Sequence, residues 1–293
     1  MLTSNAKFGR FCSLPLIKSR KNPLVKKLKE ICSLRGREKN SMILLEGTNL
    51  LREAIRTAVI PLEIFATNDW LVDNQDILSI LPDEVTLQEV SFEVLEASLT
   101  TVTPDGVATL FPLDGLPKSH SSPDFVLALD NIQDPGNLGT LFRTSLAADV
   151  NEVWIASGVN PLSQKVLRAS AGAILNLPYY RFGSSIDEAV KSLSEKLKEL
   201  SNQGHQIVGT FVPSNAISLP VVPYWELDWE KPTTLVLGNE GAGLHSQLQV
   251  CCTHGVTLPH SSSVESLNVA SAAVPMLLER RRSKMISEIQ KQQ

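Results

Sequence analysis

Three short stretches of this 293-residue chain pair reactive residue types with backbone that can approach a ligand closely. The first is Asp130-Asn131-Ile132-Gln133-Asp134-Pro135-Gly136-Asn137-Leu138-Gly139-Thr140-Leu141-Phe142-Arg143. Proline suits the first turn of a helix and an aspartate before it suits the N-cap. Arg143 is therefore predicted on a helix, four residues after Gly139 and on the same face. It is either a solvated surface cation or a group that meets negative charge. The second stretch, Thr234-Leu235-Val236-Leu237-Gly238-Asn239-Glu240-Gly241-Ala242-Gly243-Leu244, is an apolar run ending in glycines and one carboxylate. It reads as a buried strand opening into a tight loop, whose bare N–H and C=O groups suit a flat polar small molecule. Glu240 is either a solvated turn residue or a ligand or loop-ordering contact. The third, Ser266-Leu267-Asn268-Val269-Ala270-Ser271-Ala272-Ala273, reads as a loop feeding a helix, with Ser262 and Glu265 spaced as a capping box.

Several other chemistries lack their residues. The glycines at 238, 241 and 243 do not form G-x-G-x-x-G, and neither a P-loop nor a G-x-S-x-G nucleophile elbow occurs. Cys251, Cys252, His254 and His260 match no common zinc spacing, so no metal is expected. Four cysteines without a CxxC pair point to a reducing compartment. No apolar run approaches the ~20 residues of a membrane span. A cytoplasmic location is expected, with organelle import the lesser alternative because the first 29 residues hold no acid.

The elements that must position these stretches alternate between strand and helix. A loose basic arm covers 1–18. A first α/β domain of about a hundred residues follows, with a helix from Pro23, a strand at 42–46, a helix from Thr48, and further alternation to Phe111. Residues 112–124 are rich in Pro, Ser and Gly and read as a linker. From Phe125 the order β-α-β-α-β-α-β predicts a mostly parallel sheet, with ligands at the carboxyl ends of strands. The helix expected at 163–173 and the run Glu279-Arg280-Arg281-Arg282, read as a solvent-facing helix end, belong to this half.

Charge is segregated along the chain. Residues 1–56 carry 13 Lys and Arg against 4 Asp and Glu, whereas 57–124 carry 1 against 12. This is either a localised polyanion contact or a solvated set of charged helices.

Taken in order and spacing, the three stretches resemble the SpoU (TrmH-like) branch of the SPOUT RNA methyltransferases, over about 125–282. Ser170-Ala171-Gly172-Ala173 with Leu177-Pro178 adds to the likeness. Ser19–Lys26, Leu45-Glu46-Gly47 and Thr103–Ala108 resemble that family's L30e-like substrate-binding domain. Pro275 departs from the pattern in the last helix. The resemblance implies an L30e-like domain at 19–111 and a methyltransferase domain with a trefoil knot at 125–283, joined by the linker at 112–124, with the basic arm at 1–18 outside the match and a tail at 284–293. It implies S-adenosylmethionine as methyl donor, a ribose 2′-hydroxyl of RNA as acceptor, with rRNA favoured over tRNA, and a homodimer formed through the C-terminal domain. By position, Leu237, Gly238, Asn239, Gly243, Leu258, Leu267 and Asn268 would line the cofactor pocket. Arg143 would be catalytic, with Asn137, Glu240 and Asn268 beside it, and Arg20, Lys21, Lys26 and Arg143 would meet RNA. A guanidinium is almost never deprotonated, so Arg143 is expected to bind phosphate and stabilise a developing alkoxide rather than act as base. The alternative is a catalytically silent RNA-binding or ribosome-assembly factor on the same fold.

Overall fold

A computed structural model describes residues 14–119, 122–212, 219–239, 241–264 and 266–291. Glu240, the Glu265 of the capping box and most of the basic arm lie outside them. Contacts divide the chain into two compact units. One runs to Leu116 and includes Leu162–Leu175; the other comprises Pro117–Pro161 and the chain from Asn176.

The first unit begins with α1 (Pro23–Ile31) and α2 (Leu34–Asn40), followed by β1 (Met42–Glu46) and α3 (Thr48–Arg56). β2 (Glu63–Ala66), α4 (Asn68–Asp73), α5 (Gln75–Ile80), β3 (Thr86–Glu89), α6 (Phe92–Ser98) and β4 (Val107–Pro112) complete it. The sheet order is β1-β4-β2-β3. Asn22 caps α1 by accepting from the Leu24 N–H at 2.9 Å, and Pro23 fills the first helical position. Val25, Leu28 and Ile31, at helical spacing, pack against Leu44, Phe65 and Val94. Lys26 and Lys29 stay exposed on the other side.

Part of the sequence's charge asymmetry is cancelled within this unit. Arg20 pairs with Glu96 at 2.7 Å, Lys27 with Glu63 at 2.8 Å and Arg52 with Asp76 at 3.2 Å, each joining the basic segment to the acidic one.

The second unit is organised on β5 (Phe125–Leu129), α7 (Pro135–Ala147) and β6 (Glu152–Ile155). The chain then makes α8 (Gln164–Ala169), which packs in the first unit. It returns as β7 (Tyr179–Arg181), α9 (Ile186–Asn202) and β8 (Gln206–Thr210). β9 (Val221–Pro223), β10 (Thr233–Leu237), α10 (Ser246–Gln249), β11 (His254–Thr257) and α11 (Val269–Lys291) finish it. The seven strands pair in parallel throughout, in the order β7-β6-β5-β10-β8-β11-β9. Pro223 sits in β9, an edge strand, where a missing N–H costs no ladder bond.

Two expectations fail for identifiable reasons. The helix expected over 163–173 ends at Ala169, because Ala171 (φ 47°) and Gly172 (φ 86°) turn left-handed. A Cβ on Gly172 would lie 2.6 Å from the Glu53 Cβ, so the chain passes too close for any side chain. Arg280, expected at a solvent-facing helix end, is only 3% exposed. Its guanidinium donates to the carbonyls of Trp229, Lys231 and Asp124 and to Asp124 Oδ2, and lies 4.6 Å from the Phe125 ring centroid.

Candidate active site

β5 and β10 are neighbours, and the sheet continues to β6 on one side and β8 on the other. The crevice beyond their carboxyl ends is where an open parallel sheet takes a ligand. The two loops leaving this point are tied to one another by short polar contacts. The Asp130 N–H donates to Leu237 O at 2.9 Å, the His245 N–H to Asp130 Oδ2 at 2.8 Å, and the Asn239 side-chain amide to Asn131 O at 2.9 Å. Asn131 makes the turn with φ at 56°. Asp130 is buried, and burial pushes its carboxyl pKa upward, opposed by the N–H bond from His245.

The glycine loop is built from backbone. Asn239 and Gly243 exchange both main-chain hydrogen bonds, at 2.9 and 3.0 Å. The Asn239 carbonyl oxygen of the side chain accepts from the N–H groups of Gly241 and Ala242. A Cβ on Gly238 would lie 2.3 Å from the Gly243 carbonyl carbon, so only glycine fits. Gly243 has φ at 70°, yet a Cβ there would meet nothing within 4 Å. Conformation demands that glycine, and the space beside it is open. Open volume against bare backbone fits a nucleoside-like cofactor, which needs amide edges rather than bulky side chains. Leu237 is buried beneath the loop, Leu258 follows β11 and is half-buried, and Leu267 is exposed.

The first and third motifs meet side chain to side chain. Asp134 caps α7, accepting from the Asn137 N–H at 2.8 Å. Across 131 residues of sequence, the Asn268 amide donates to Asn137 Oδ1 at 2.8 Å. The Asn268 oxygen accepts from the Ser271 N–H at 3.1 Å and so caps α11, six residues beyond the expected capping box at Ser262. Helices α7 and α11 pack on one another. Arg143 is exposed on α7 with no hydrogen bond or ion pair among the described residues. Among the RNA-facing candidates, Arg20 is engaged with Glu96, while Lys21 and Lys26 are exposed and make no ion pair among the described residues.

Sequence reasoning gave Asp130 no role, although an acid ending an apolar strand just before a left-handed residue was a visible signal. It quoted Glu46 only as part of a motif and passed over Arg168; the two pair at 3.0 Å in the first unit.

Comparison with known proteins bears on this arrangement. Residues 124–278 match the SpoU rRNA Methylase family and residues 22–109 the MRM3-like substrate binding domain. An uncharacterized tRNA/rRNA methyltransferase of Synechocystis is 38% identical, the match covering 91% of this chain and 93% of that one. The 23S rRNA (guanosine(2553)-2′-O)-methyltransferase RlmP of Bacillus subtilis is 31% identical over 88% of this chain and 95% of its own length. The crystal structure of the AdoMet-bound rRNA methyltransferase of Sinorhizobium meliloti shares the fold, with a TM-score of 0.74 at 24% identity, covering 92% of this chain and 97% of that one. The chain belongs to the SpoU rRNA methylase family of RNA methyltransferases, which use S-adenosylmethionine.

Proposed function

We infer that this protein transfers the methyl group of S-adenosylmethionine to a ribose 2′-hydroxyl in ribosomal RNA. The observation that carries the reading is the Asn268–Asn137 hydrogen bond, which joins the helix bearing Arg143 to the loop bearing Leu267. The Bacillus subtilis relative, named for 2′-O methylation of 23S rRNA, supports the acceptor. When bound, the cofactor supplies an electrophilic methyl on a sulfonium. The bare backbone of Gly238, Asn239 and Gly243 supports adenosine binding, with Leu237, Leu258 and Leu267 as apolar walls. Arg143 holds the acceptor's phosphate and stabilises the oxygen as its proton leaves. Asn137 and Asn268 fix the acceptor's approach, since in-line geometry supplies much of the acceleration in such a transfer. A phosphate oxygen, Glu240 or water takes the proton.

The unsatisfied Arg143 and the exposed Asn268 and Leu267 support a site completed by RNA and by the second subunit of a homodimer formed through the C-terminal domain. The domain covering 19–111 grips RNA through Lys21 and Lys26, with Arg20 a weaker contributor because Glu96 competes for it. The trefoil knot implied by the resemblance belongs to this reading, as does action in the cytoplasm.

The test is transfer of labelled methyl from S-adenosylmethionine to unmodified cellular RNA, run beside Arg143→Ala. Label in one alkali-resistant linkage, lost in the variant, is the expected result. No label despite tight binding of cofactor and rRNA would favour a silent RNA-binding factor instead.

A further inference from the structure

The first unit contains a pocket of about 330 Å³ that the methyl-transfer reading leaves unused. That volume lies at the small end of the range for small-molecule sites. On one side stands Arg168, held in an unusual way. Glu46, whose side chain is 2% exposed, accepts from the N–H and hydroxyl of both Thr100 and Thr101 and from Arg168 Nη1 at 3.0 Å. Nη1 also reaches the Thr100 and Thr101 hydroxyls, at 3.0 and 3.2 Å. Among the described residues, every hydrogen bond Arg168 makes leaves from that one nitrogen. The Nη2 and Nε edge stays unused on a guanidinium that cannot swing away, and the side chain is 35% exposed. The same pocket is lined by Asp105, which spends one oxygen on the Thr48 N–H at 2.8 Å and, among the described residues, has no partner for the other. Leu50 and Val107 supply apolar wall, and Asn49 and Thr103 supply further polar groups. Val102, between two lining threonines in sequence, is an apolar side chain 91% exposed.

We propose that this pocket receives an unpaired guanine base of the RNA substrate, an inference that rests on the RNA-methylating reading above. A phosphate would meet two carboxylates against one guanidinium, so net charge in the pocket disfavours it. A fixed donor edge and a free carboxylate oxygen instead match the two edges of guanine. O6 and N7 accept from the arginine fork, as in the commonest specific base contact. The N1–H and N2–H groups donate to Asp105. Adenine puts an amino donor where the arginine needs an acceptor. Pairing would occupy the Watson–Crick edge, so the base must be single-stranded, as in most sequence-specific RNA recognition. Val102 then lies against the neighbouring nucleotide.

The experiment uses the full chain saturated with S-adenosylhomocysteine, isotopically labelled for NMR. It is titrated with a seven-nucleotide uridine RNA bearing one central guanosine, and with the same RNA bearing adenosine or inosine there. The guanosine RNA is expected to move the amide signals of Asn49, Thr103 and Asp105 and to bind about tenfold tighter than the adenosine RNA, with inosine between them. Asp105→Asn keeps an oxygen for the Thr48 N–H while presenting an amide donor to N1–H, so it should erase the guanosine preference. Equal binding of guanosine and adenosine RNAs, or no movement of those three signals, overturns the proposal. Methyl transfer to unmodified RNA is read separately, with the same protein free of S-adenosylhomocysteine and supplied with S-adenosylmethionine. Transfer without guanosine preference rejects the pocket alone; guanosine preference without transfer rejects the methylation reading alone.

Discussion

The two ends of strand β5 carry the same kinds of residue and use them in opposite ways. At its start, Asp124 and Arg280 are paired: the arginine is buried, makes five hydrogen bonds and stacks on Phe125. At its far end, Asp130 is consumed in clamping the loops, while Arg143 has no partner among the described residues. An arginine whose Nη1 and Nη2 are both spent inside the fold holds the fold. One left exposed, with no partner among the described residues, is available to a ligand.

Removing each arginine should therefore break different properties. Arg280→Ala deprives three carbonyls of their donor and leaves the Asp124 carboxylate only Lys284, and should cost about 3 kcal/mol, the low end for breaking a buried pair because Asp124 is half-exposed. Urea unfolding would show it, with methyl transfer per folded molecule unchanged. Arg143→Ala should lower methyl transfer by about 10²–10³-fold, as for loss of one charge-stabilising donor, while the unfolding midpoint stays put. If Arg143→Ala unfolded the protein, or Arg280→Ala abolished turnover in folded protein, the contrast would collapse.

Asn268 lies between the extremes, since it both caps α11 and touches Asn137. Asn268→Ala should cost about 1 kcal/mol of stability and also reduce turnover, whereas Asn268→Ser should recover stability more than activity.

Asp130 sharpens the comparison through pH. Its folded-state pKa is raised by burial, so it takes up a proton more readily in the native protein than in the unfolded chain. Its contribution is full below the unfolded value and lost as pH rises through the raised native one. Relative to Asp130→Asn, the wild-type chain should thus gain stability as pH falls from about 7 to about 4; denaturant midpoints at both values would test this. A relative loss would mean that the His245 N–H bond outweighs desolvation. The smallest effect is expected from Lys26→Gln, which should reduce the slope of log affinity for RNA against log salt by roughly 0.7–0.9.

Much of this was legible locally. The apolar runs ending at Glu46, Leu129 and Leu237 became strands, and Asp134-Pro135 capped a helix as residue types alone require. Gly238 was visible as backbone passing close to something. What it passes is Gly243, five residues on. Arg280 was misread because its charge outweighed its spacing: Ala273, Met276 and Leu277 form a buried stripe on α11, and position 280 continues it. The early end of α8 was hidden because its cause is the approach of Glu53 to Gly172, 119 residues apart. The Asn137–Asn268 pair was hidden similarly, since no periodicity links residues 131 apart.

The pairing of β5 with β10 has a consequence for how the protein is made. Phe125 lies opposite Thr233, so 108 residues must be synthesised before this central strand acquires its second neighbour. At about 5–20 residues per second, β5 waits on the ribosome for roughly 5–20 seconds with that edge open. Arg280, which closes the start of the same strand, emerges later still. The second unit therefore cannot complete its sheet until β11 has also been made, and the non-local pairing this requires makes folding slow.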